Sequence, residues 1–581
     1  MFFRRAEAGG IPVNPNLSFF MKPTLPPRNA ARRAITLLVL VLALISQSSA
    51  LAAFGLTESG GFYIVDTGAG LVFKVNRGSG GIRSIVWNGT ELNDPNPKKE
   101  SGIASGLGGS TVTAKANLKT IVITVSTDSA NGVVANLTHY YVVQEGVNNI
   151  YMATYATKEP NVGELRWITR LQTGPFPNAP IDSDNRGTTG AIESKDVFGN
   201  SATGITRSKY YGNQRAMDLS IRGITGPGRG VFMAYGNREG SSGGPFYRDI
   251  QNQSTEVYNY MNSGHGNPDV RRLPMLYGPY ALCFTNGTTP AVPEMSFMSG
   301  LGLTGSVPAA GRGSVTCSSV TGRDAHYAYT IGFSNSTAQY WTVANAANGA
   351  FTMAGLLPGT YTMQVYKNEL SVYTDASVTV AAGKATAHNP IAITSDPSAV
   401  VPLWRIGDWD GTPLEFLNGD KITSMHPSDK RMASWDPGTY IVGTSTPAKG
   451  MQACQWKAVP GNNNKTIQFT LTDAQVKAST IRIGITTAAG GARPNLKVNS
   501  WNAPAQHPST QPSSRTLTVG TYRGNNTTFT FSVPASALLA GTNTMSFSPL
   551  SGSNGPGFLS PGYSLDCIEF SQGTPQAPAP R

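Results

Sequence analysis

Residues 120–125 read Thr-Ile-Val-Ile-Thr-Val, and residues 137–143 read Leu-Thr-His-Tyr-Tyr-Val-Val. Both runs consist mostly of β-branched and aromatic residues, which pack well on a pleated surface. The runs 62–65 and 71–75 have the same character, and Gly, Asn and Pro separate the runs. Strands broken by turn residues, without a long helical period, indicate large antiparallel sheets packed face to face. We therefore predict an all-β first domain over residues 53–303.

A connector rich in Gly, Pro and Ala follows, and it marks the predicted start of a second domain over residues 304–398. Strand-like runs recur at 327–333 and 349–353, and a Leu-Pro-Gly turn at 357–359 precedes an alternating strand. This pattern is typical of a small β-sandwich of the fibronectin III or prealbumin kind. We expect this domain to act as a spacer.

The remainder of the chain predicts a third domain over residues 399–572. It opens with Leu-Trp-Arg-Ile-Gly-Asp-Trp-Asp-Gly at 403–411, and the runs 466–471 and 516–519 read as strands between polar turns. Such a succession favours a jelly roll, a fold that often holds carbohydrate. Residues 573–581 are rich in Pro and Ala and are predicted to be disordered.

The amino-terminal region has the three parts of a secretory signal. Arg32 and Arg33 precede an apolar run at 34–45, and Ala50-Leu51-Ala52 supplies a cleavage site. The apolar run is shorter than the roughly 20 residues that span a bilayer. The sequence thus predicts a leader over residues 1–52, cleaved after Ala52, and a secreted, extracellular protein. An uncleaved signal anchor is the alternative.

The charge balance of the whole chain is basic, with a formal net charge of +12. Residues 1–52 contain six basic residues and one acidic residue, so the remainder carries a formal charge of +7. This excess fits an acidic polymer, and nucleic acid would fit it equally well on charge alone. The predicted extracellular compartment disfavours nucleic acid.

Four cysteines are too sparse to form the main framework of a secreted protein of this size. Cys454 and Cys567 fall in the same predicted domain and could pair, whereas Cys283 and Cys317 would bridge a domain boundary. No Cys-x-x-Cys motif or histidine cluster indicates zinc. Asn-x-Ser/Thr sequons predict exposed turns that a glycosylating host could modify. They include Asn88, Asn136, Asn252, Asn286, Asn335, Asn464 and Asn526.

Cationic and aromatic residues concentrate in the middle of the first domain. In Gly-Glu-Leu-Arg-Trp-Ile-Thr-Arg at 163–170, a strand would place Arg166 and Arg170 on one face, because side chains alternate with period two. Two guanidinium groups on one face suit carboxylate recognition, since each can donate two parallel hydrogen bonds. Two ordinary surface arginines on a solvated strand would give the same spacing.

Two further residues are candidates for acid-base chemistry. Lys209 lies among cationic and aromatic neighbours in Thr-Arg-Ser-Lys-Tyr-Tyr at 206–211, and a lysine among cations loses its proton more readily. His265 follows Tyr258 and Tyr260, which share a face, and it lies in a Gly-containing turn where catalytic groups are often displayed. An exposed lysine and a histidine satisfied by the backbone are the ordinary alternatives.

Seven segments in order resemble the fungal-type rhamnogalacturonan endolyases of polysaccharide lyase family 4. They are GELRWITR, TRSKYY, SSGGPFYRD and YNYMNSGH in the first domain, LLPGTYTM in the second, and WRIGDWDG and MHPSDKRMASW in the third. The resemblance covers residues 53–570. It implies a large β-supersandwich catalytic domain of the galactose-mutarotase type, a fibronectin III-like domain and a jelly roll of carbohydrate-binding type.

The resemblance also implies roles for individual residues. Lys209 and His265 match the catalytic pair proposed for the family. Arg166, Arg170, Tyr258 and Tyr260 match residues that line the substrate cleft. The implied reaction is β-elimination at the α-L-Rha-(1→4)-α-D-GalA bond of rhamnogalacturonan I, which leaves an unsaturated galacturonosyl end. The sequence does not decide which member of the pair is the base and which the acid.

The implied enzyme needs no metal or other cofactor, because two arginines can neutralise the uronate in place of calcium. Its partner is rhamnogalacturonan I, and we expect a monomer. Two other functions fit the sequence less closely. A glycoside hydrolase of the same polymer would need two carboxyl groups that face the scissile bond, and Glu164 and Asp249 are available without forming an evident pair. A non-catalytic wall protein that binds carbohydrate is the second alternative.

Overall fold

The computed structural model describes residues 53–103, 107, 109–130, 133–159, 164–177, 183–193, 195–265, 269, 271–459, 461–511, 516–519, 525–551 and 561–572. The predicted leader and the predicted disordered tail lie outside these residues. Within the described ranges, no helix is long and apolar enough to cross a membrane. Strands greatly outnumber helices in each segment, which confirms the all-β prediction. The predicted domain boundaries stay predictions, so residues 53–303, 304–398 and 399–572 are called the first, second and third segments.

The first segment is built from strands throughout. They are β1 (Gly55–Ser59), β2 (Phe62–Asp66), β3 (Leu71–Asn76), β4 (Ile82–Trp87), β5 (Thr90–Glu91), β6 (Gly102–Ile103), β7 (Thr111–Ala116), β8 (Thr120–Ala130), β9 (Val133–Gln144), β10 (Asn149–Lys158), β11 (Leu165–Arg170), β12 (Gly190–Glu193), β13 (Val197–Gly199), β14 (Thr206–Ser208), β15 (Ile221–Gly226), β16 (Arg229–Ala234), β17 (Asn252–Gln253), β18 (Glu256–Asn262) and β19 (Met275–Thr285).

Four sheets organise these strands. One has the order β1-β2-β3-β4-β5, and a seven-stranded sheet has the order β15-β16-β19-β10-β9-β8-β7. The other two have the orders β17-β18-β11-β6 and β12-β13-β14. Strand β9 shows why the seven-stranded sheet is buried on both faces. Its Leu137, Tyr141 and Val143 point into the main hydrophobic core, whereas Tyr140 and Val142 point into a second cluster on the opposite face.

The second segment forms a small sandwich. Its strands are β20 (Gly313–Cys317), β21 (Val320–Thr321), β22 (Tyr329–Ser334), β23 (Gln339–Val343), β24 (Phe351–Leu356), β25 (Gly359–Lys367), β26 (Leu370–Val380), β27 (Ala385–His388) and β28 (Ile391–Ala392). The sheet β24-β20-β27 faces the sheet β23-β22-β25-β26 across a core that includes Ile331, Tyr361 and Val365. Trp409 and Cys567 of the third segment complete this core.

The third segment forms two further sheets. Its strands are β29 (Trp404–Gly407), β30 (Tyr440–Ile441), β31 (Cys454–Trp456), β32 (Lys465–Leu471), β33 (Ser479–Ala489), β34 (Arg493–Val498), β35 (Trp501–Asn502), β36 (Thr527–Val533), β37 (Gly541–Leu550) and β38 (Gly562–Gln572). The order β29-β38-β33-β36, with β31 also on β38, forms one sheet, and β30-β32-β37-β34-β35 forms the other. Both sheets contribute side chains to one core.

Helices are short. The α-helices are α1 (Pro447–Gly450) and α2 (Thr516–Val519), and the 3₁₀ helices are Ser296–Leu301, Ala309–Gly311, Pro397–Ala399, Asp473–Gln475 and Ala535–Ala537. The prediction of a strand at 516–519 is therefore wrong. Its β-branched residues favour a strand, but tertiary contacts decide the outcome: the carbonyl and hydroxyl groups of Thr518 bond to the first segment.

The four cysteines are free, so the predicted disulfide pairings are wrong. Cys454 lies opposite Ser564 across the β31–β38 pair and faces the core of the third segment. Cys567 is three residues further along β38 and faces the core shared with the second segment. Because the two thiols belong to different cores, they cannot meet. Cys283 and Cys317 are likewise buried in separate clusters.

One predicted glycan position is also wrong. Asn252 is fully buried and its side-chain oxygen accepts a hydrogen bond from Arg222 Nε at 2.7 Å, so it is not on an exposed turn. Asn88, Asn136, Asn286 and Asn464 are exposed, as the sequence predicts.

Candidate active site

Strands β11 and β18 form the floor of the candidate site. They pair antiparallel, with Arg166 opposite Tyr260, Ile168 opposite Tyr258 and Arg170 opposite Glu256. Arg166 and Arg170 are half-buried on one face, as the period-two pattern predicts, whereas Trp167 is buried on the other. The ladder therefore brings all four predicted cleft residues onto one surface.

The two tyrosine rings cover this surface. Tyr258 and Tyr260 stack with their centroids 5.9 Å apart and their planes 19° from parallel. With Tyr210 and Tyr211 they form a hydrophobic cluster over Ile168. The alternation on β18 thus places two stacked, largely buried aromatic rings beside the arginines.

Each arginine is paired with a carboxylate. Arg166 Nη1 donates to Glu164 and, at 2.8 Å, to the hydroxyl of Tyr260. Arg170 Nη1 donates to Glu256, which also accepts from the hydroxyl of Tyr258. A signal for Glu256 is present in the sequence, because it precedes Tyr258 by two positions on the same face of β18, whereas Glu164 lies just before β11 begins.

Lys209 lies directly after β14. Its Nζ is 3.2 Å from Asp196 Oδ1 and 5.4 Å from the centroid of the Tyr210 ring. Asp196 directly precedes β13, and the pairing of Val197 with Ser208 brings the two residues to the same end of the ladder. About a quarter of the Lys209 side chain is exposed.

His265 lies in the turn after β18 and is held by two carboxylates. Its Nδ1 is 2.9 Å from Asp249 Oδ1, and its Nε2 is 3.4 Å from Glu164 Oε1. Ser263 Oγ accepts a hydrogen bond from the His265 backbone N–H at 3.1 Å, which fixes the turn. Glu164 and Asp249 form no evident pair in the sequence, but in the structure both contact the imidazole of His265.

The electrostatics of this arrangement favour the imidazolium. Burial opposes the charged form of His265, but the negative charge of Asp249 and the hydrogen bonds to Asp249 and Glu164 outweigh burial and raise its pKa to about 9. In return, the hydrogen bond from His265 lowers the pKa of Glu164 despite partial burial. The charges of Arg166 and Lys209 lower the pKa of Glu164 further.

Lys209 and His265 therefore occupy one site. The Tyr210 ring meets the His265 ring edge-on with centroids 5.4 Å apart, and the Lys209 amine lies above the same ring. The Tyr260 ring is also 5.4 Å from His265 and connects this pair to the arginine face. Asp196 and Tyr210 complete the site. The sequence marked neither of them by itself, since their segments lie far from β11 along the chain.

A groove of about 510 Å³ extends from the Arg170 end of the site. Glu256 is shared between the groove and the arginine face. The remaining lining residues are mostly polar, among them Asp94, Lys99, Gln172, Thr173 and Gln253. In the part of the chain that the structure describes, no three His, Cys, Asp or Glu side chains are arranged to hold a metal ion.

Stacked antiparallel sheets and a cleft of paired cations beside tyrosines define an all-β protein with a charged cleft. Residues 54–305 match the family model described as "Rhamnogalacturonan lyase B, N-terminal", residues 311–388 match "Polysaccharide lyase family 4, domain II", and residues 402–570 match "Polysaccharide lyase family 4, domain III". The chain belongs to polysaccharide lyase family 4, which confirms the resemblance.

Individual relatives match over nearly the whole chain. "Rhamnogalacturonate lyase A" of Emericella nidulans is 42% identical over 90% of this chain and 96% of its own length. "Rhamnogalacturonate lyase A" of Aspergillus aculeatus is 41% identical over 90% and 97%, respectively. A solved galactose 1-epimerase from Lactobacillus acidophilus NCFM aligns with a TM-score of 0.21 at 10% identity, over 40% of this chain and 98% of that one. This last structural similarity is too low to support a conclusion about the present chain.

Proposed function

We propose that the chain cleaves the α-L-Rha-(1→4)-α-D-GalA bonds of rhamnogalacturonan I by β-elimination. The observation that carries this proposal is the placement of Lys209 and His265 around the Tyr210 ring, next to a strand face with two arginines. The names of the relatives, rhamnogalacturonate lyase A, support the choice of polymer.

The reaction requires positive charge near the uronate. The proton on C5 of galacturonate lies next to a carboxylate. The negative charge of this carboxylate opposes the second negative charge that develops when the C5 proton leaves. Cations that face the carboxylate lower this cost in a partly dehydrated site. Arg166 and His265 share Glu164 as a partner, which supports Arg166 as the residue that binds that carboxylate. Arg170 is one step further along the strand.

We propose that His265 is the acid, and its raised pKa supports this role. Because this pKa is raised to about 9, the imidazole carries its proton at neutral pH and can deliver it to the departing O4 of the galacturonate linkage. We propose that Lys209, beside the same Tyr210 ring, accepts the C5 proton. The elimination breaks the C4–O4 bond and forms a C4–C5 double bond, so one new chain begins with an unsaturated galacturonosyl unit.

Substrate binding has to rearrange the ion pairs. Arg166, Arg170, Lys209 and His265 each face a carboxylate of the protein. We propose that the uronate replaces Glu164 as the main partner of Arg166. These ion pairs keep the cationic side chains oriented before the substrate binds. When the substrate binds, one ion pair replaces another, so the cations have already lost most of their hydration.

The groove at the Arg170 end supports cleavage within the polymer. A chain that passes over β11 and β18 would continue into this groove beyond Glu256. We further propose that the chain needs no metal, because Arg166 and Arg170 supply the charge that a divalent cation would otherwise provide, and that it acts outside the cell as a monomer.

The hydrolase alternative fits the site less well. A hydrolase needs one carboxylic acid with a raised pKa, whereas the pKa of Glu164 is lowered and Asp249 is bound to His265. The binding-protein alternative predicts no bond cleavage at all.

One experiment distinguishes the three functions. The mature protein is incubated with rhamnogalacturonan I, and both the ultraviolet absorbance of the conjugated double bond and the reducing ends are followed. We expect both to rise, and chelation followed by desalting should leave both rates unchanged. Reducing ends without absorbance would indicate a hydrolase, and no change in either would indicate a binding protein.

A further inference from the structure

The small sheet β12-β13-β14 carries Lys209 but has little support of its own. Its strands contain only three or four residues, and β14 lies at the edge of the sheet. Val197 is the residue of this sheet that belongs to a described hydrophobic cluster. Strands this short are not stable alone, so other parts of the molecule must hold β14 in place.

Asp429 of the third segment holds β14 directly. Its Oδ2 accepts hydrogen bonds from the backbone N–H of Thr206 at 2.6 Å and from the Thr206 hydroxyl at 2.7 Å. The same hydroxyl accepts from the backbone N–H of His426 at 3.0 Å. Arg431 donates to both oxygens of Asp429 at 2.9 Å and fixes the carboxylate. Asp429 and Thr206 are both buried, and buried charge-assisted hydrogen bonds of this kind are strong.

The other end of the sheet is held in the same way. His426 Nε2 lies 3.0 Å from Glu193 Oε2 on β12, and the hydroxyl of Thr518 donates to Glu193 Oε1 at 3.0 Å. The hydroxyl of Tyr211 donates to the carbonyl of Thr518 at 2.8 Å. These contacts come from the loop of residues 423–431 and from helix α2, both in the third segment.

The contacts lie on both sides of Lys209 in the chain. Before it, the Gly204 carbonyl accepts from the Lys430 N–H at 3.0 Å, and Thr206 binds Asp429. After it, Tyr211 binds Thr518, and the Gly212 N–H donates to the Thr423 carbonyl at 3.1 Å. Contacts with the third segment therefore flank Lys209 on both sides, which is more than is needed to join two domains.

We propose that the loop of residues 423–431 positions Lys209 for proton transfer, and that the third segment is therefore part of the catalytic unit. Asp429 is a positioning residue that acts through Thr206. The inference rests on the proposed function, because it assumes that Lys209 takes part in the elimination. A displacement of about 1 Å at a reacting group can cost roughly a hundredfold in rate, so the loss of this support should be measurable.

The test compares Asp429→Asn and Thr206→Val with Thr206→Ser, which keeps the hydroxyl. Asp420→Asn is the control, because Asp420 is exposed in the same segment. At a temperature well below the melting temperature of each variant, we expect kcat for rhamnogalacturonan I to fall roughly 10- to 100-fold in the first two variants. KM should change little, because β11 and β18 are untouched. Thr206→Ser should keep most of the activity, and Asp420→Asn all of it.

Hydrogen exchange supplies a readout that is independent of turnover. The amides of residues 206–213 should exchange faster in Asp429→Asn than in the wild type. Unchanged exchange, an unchanged kcat, or a rise in KM alone would overturn the inference. An inactive wild type would overturn the proposed function as well, whereas an active wild type with an unimpaired Asp429→Asn variant would overturn only this inference.

Discussion

The cleft has two halves that are built in different ways. The strand half consists of Arg166, Arg170, Tyr258 and Tyr260, which the paired strands β11 and β18 hold in register. The loop half consists of Lys209 and His265, which follow the ends of strands and contact Asp196 and Asp249 from the segments that precede those strands. Under the proposed function this difference corresponds to two roles: the paired strands present the groups proposed to bind substrate, and the loops present the groups proposed to transfer protons.

Removing either member of the loop half should have the largest effect on turnover. For Lys209→Ala and His265→Ala we expect kcat to fall by roughly 10²- to 10⁴-fold, the usual contribution of a positioned acid or base. KM should change far less, because the strand half remains. Steady-state rates from ultraviolet absorbance measure both constants.

Matched controls exist for both variants. Lys74 is exposed on β3, and His326 is exposed in the second segment and paired with Asp324. Lys74→Ala and His326→Ala should turn over like the wild type. If Lys209→Ala or His265→Ala does the same while remaining folded, the division between the two halves is wrong.

The strand half should show a graded response. Arg166 lies beside the loop half through Glu164, so Arg166→Gln should lower kcat by roughly 10²- to 10³-fold, as expected when a group that stabilises developing charge is lost. Arg170 lies at the groove end, so Arg170→Gln should mainly raise KM. Arg77→Gln, at an exposed arginine paired with Glu58, is the control. Equal effects of the two variants on kcat would contradict this gradient.

The pH dependence should separate His265 from the rest of the cleft. Because the imidazolium is the proposed acid, kcat should fall as the pH rises through about 9. In Asp249→Asn one of the two carboxylates that raise this pKa is lost, while burial still lowers it, so the alkaline limb should move to lower pH. An alkaline limb that stays in place would remove His265 from the acid role. Asp128→Asn, at an exposed position, is the control.

The same shift predicts a contribution to folding stability. The pKa of His265 is higher in the folded chain than its ordinary value of 6.5. Its contribution is therefore fully present below about pH 6.5 and is lost as the pH rises through about 9. Urea unfolding of the wild type and of His265→Ala across this range should show a difference that narrows toward alkaline pH. A constant difference would mean that the stabilisation does not depend on the charge of His265.

The strand half could be predicted from the sequence, and the loop half only in part. Period two on β11 and β18 is a local property, so it placed the arginines and tyrosines correctly before any fold was known. The partners of Lys209 and His265 depend on how remote segments pack, and residue spacing carries no record of that. The same reason explains two wrong predictions. At residues 516–519, contacts with the first segment override the propensity to form a strand. The predicted disulfides do not form, because the cysteines face separate cores.

The smallest effect should come from a hydroxyl group in the strand half. Tyr258 Oη donates to Glu256, the partner of Arg170, so Tyr258→Phe removes one hydrogen bond while keeping the aromatic face. We expect KM to rise roughly two- to tenfold with little change in kcat, because such a bond contributes roughly 0.5–1.5 kcal/mol. Tyr373→Phe, in the second segment, is the control. If Tyr258→Phe instead lowered kcat as strongly as Lys209→Ala, the strand half would take part in the chemistry, and the two halves of the cleft would have to be treated as one catalytic unit.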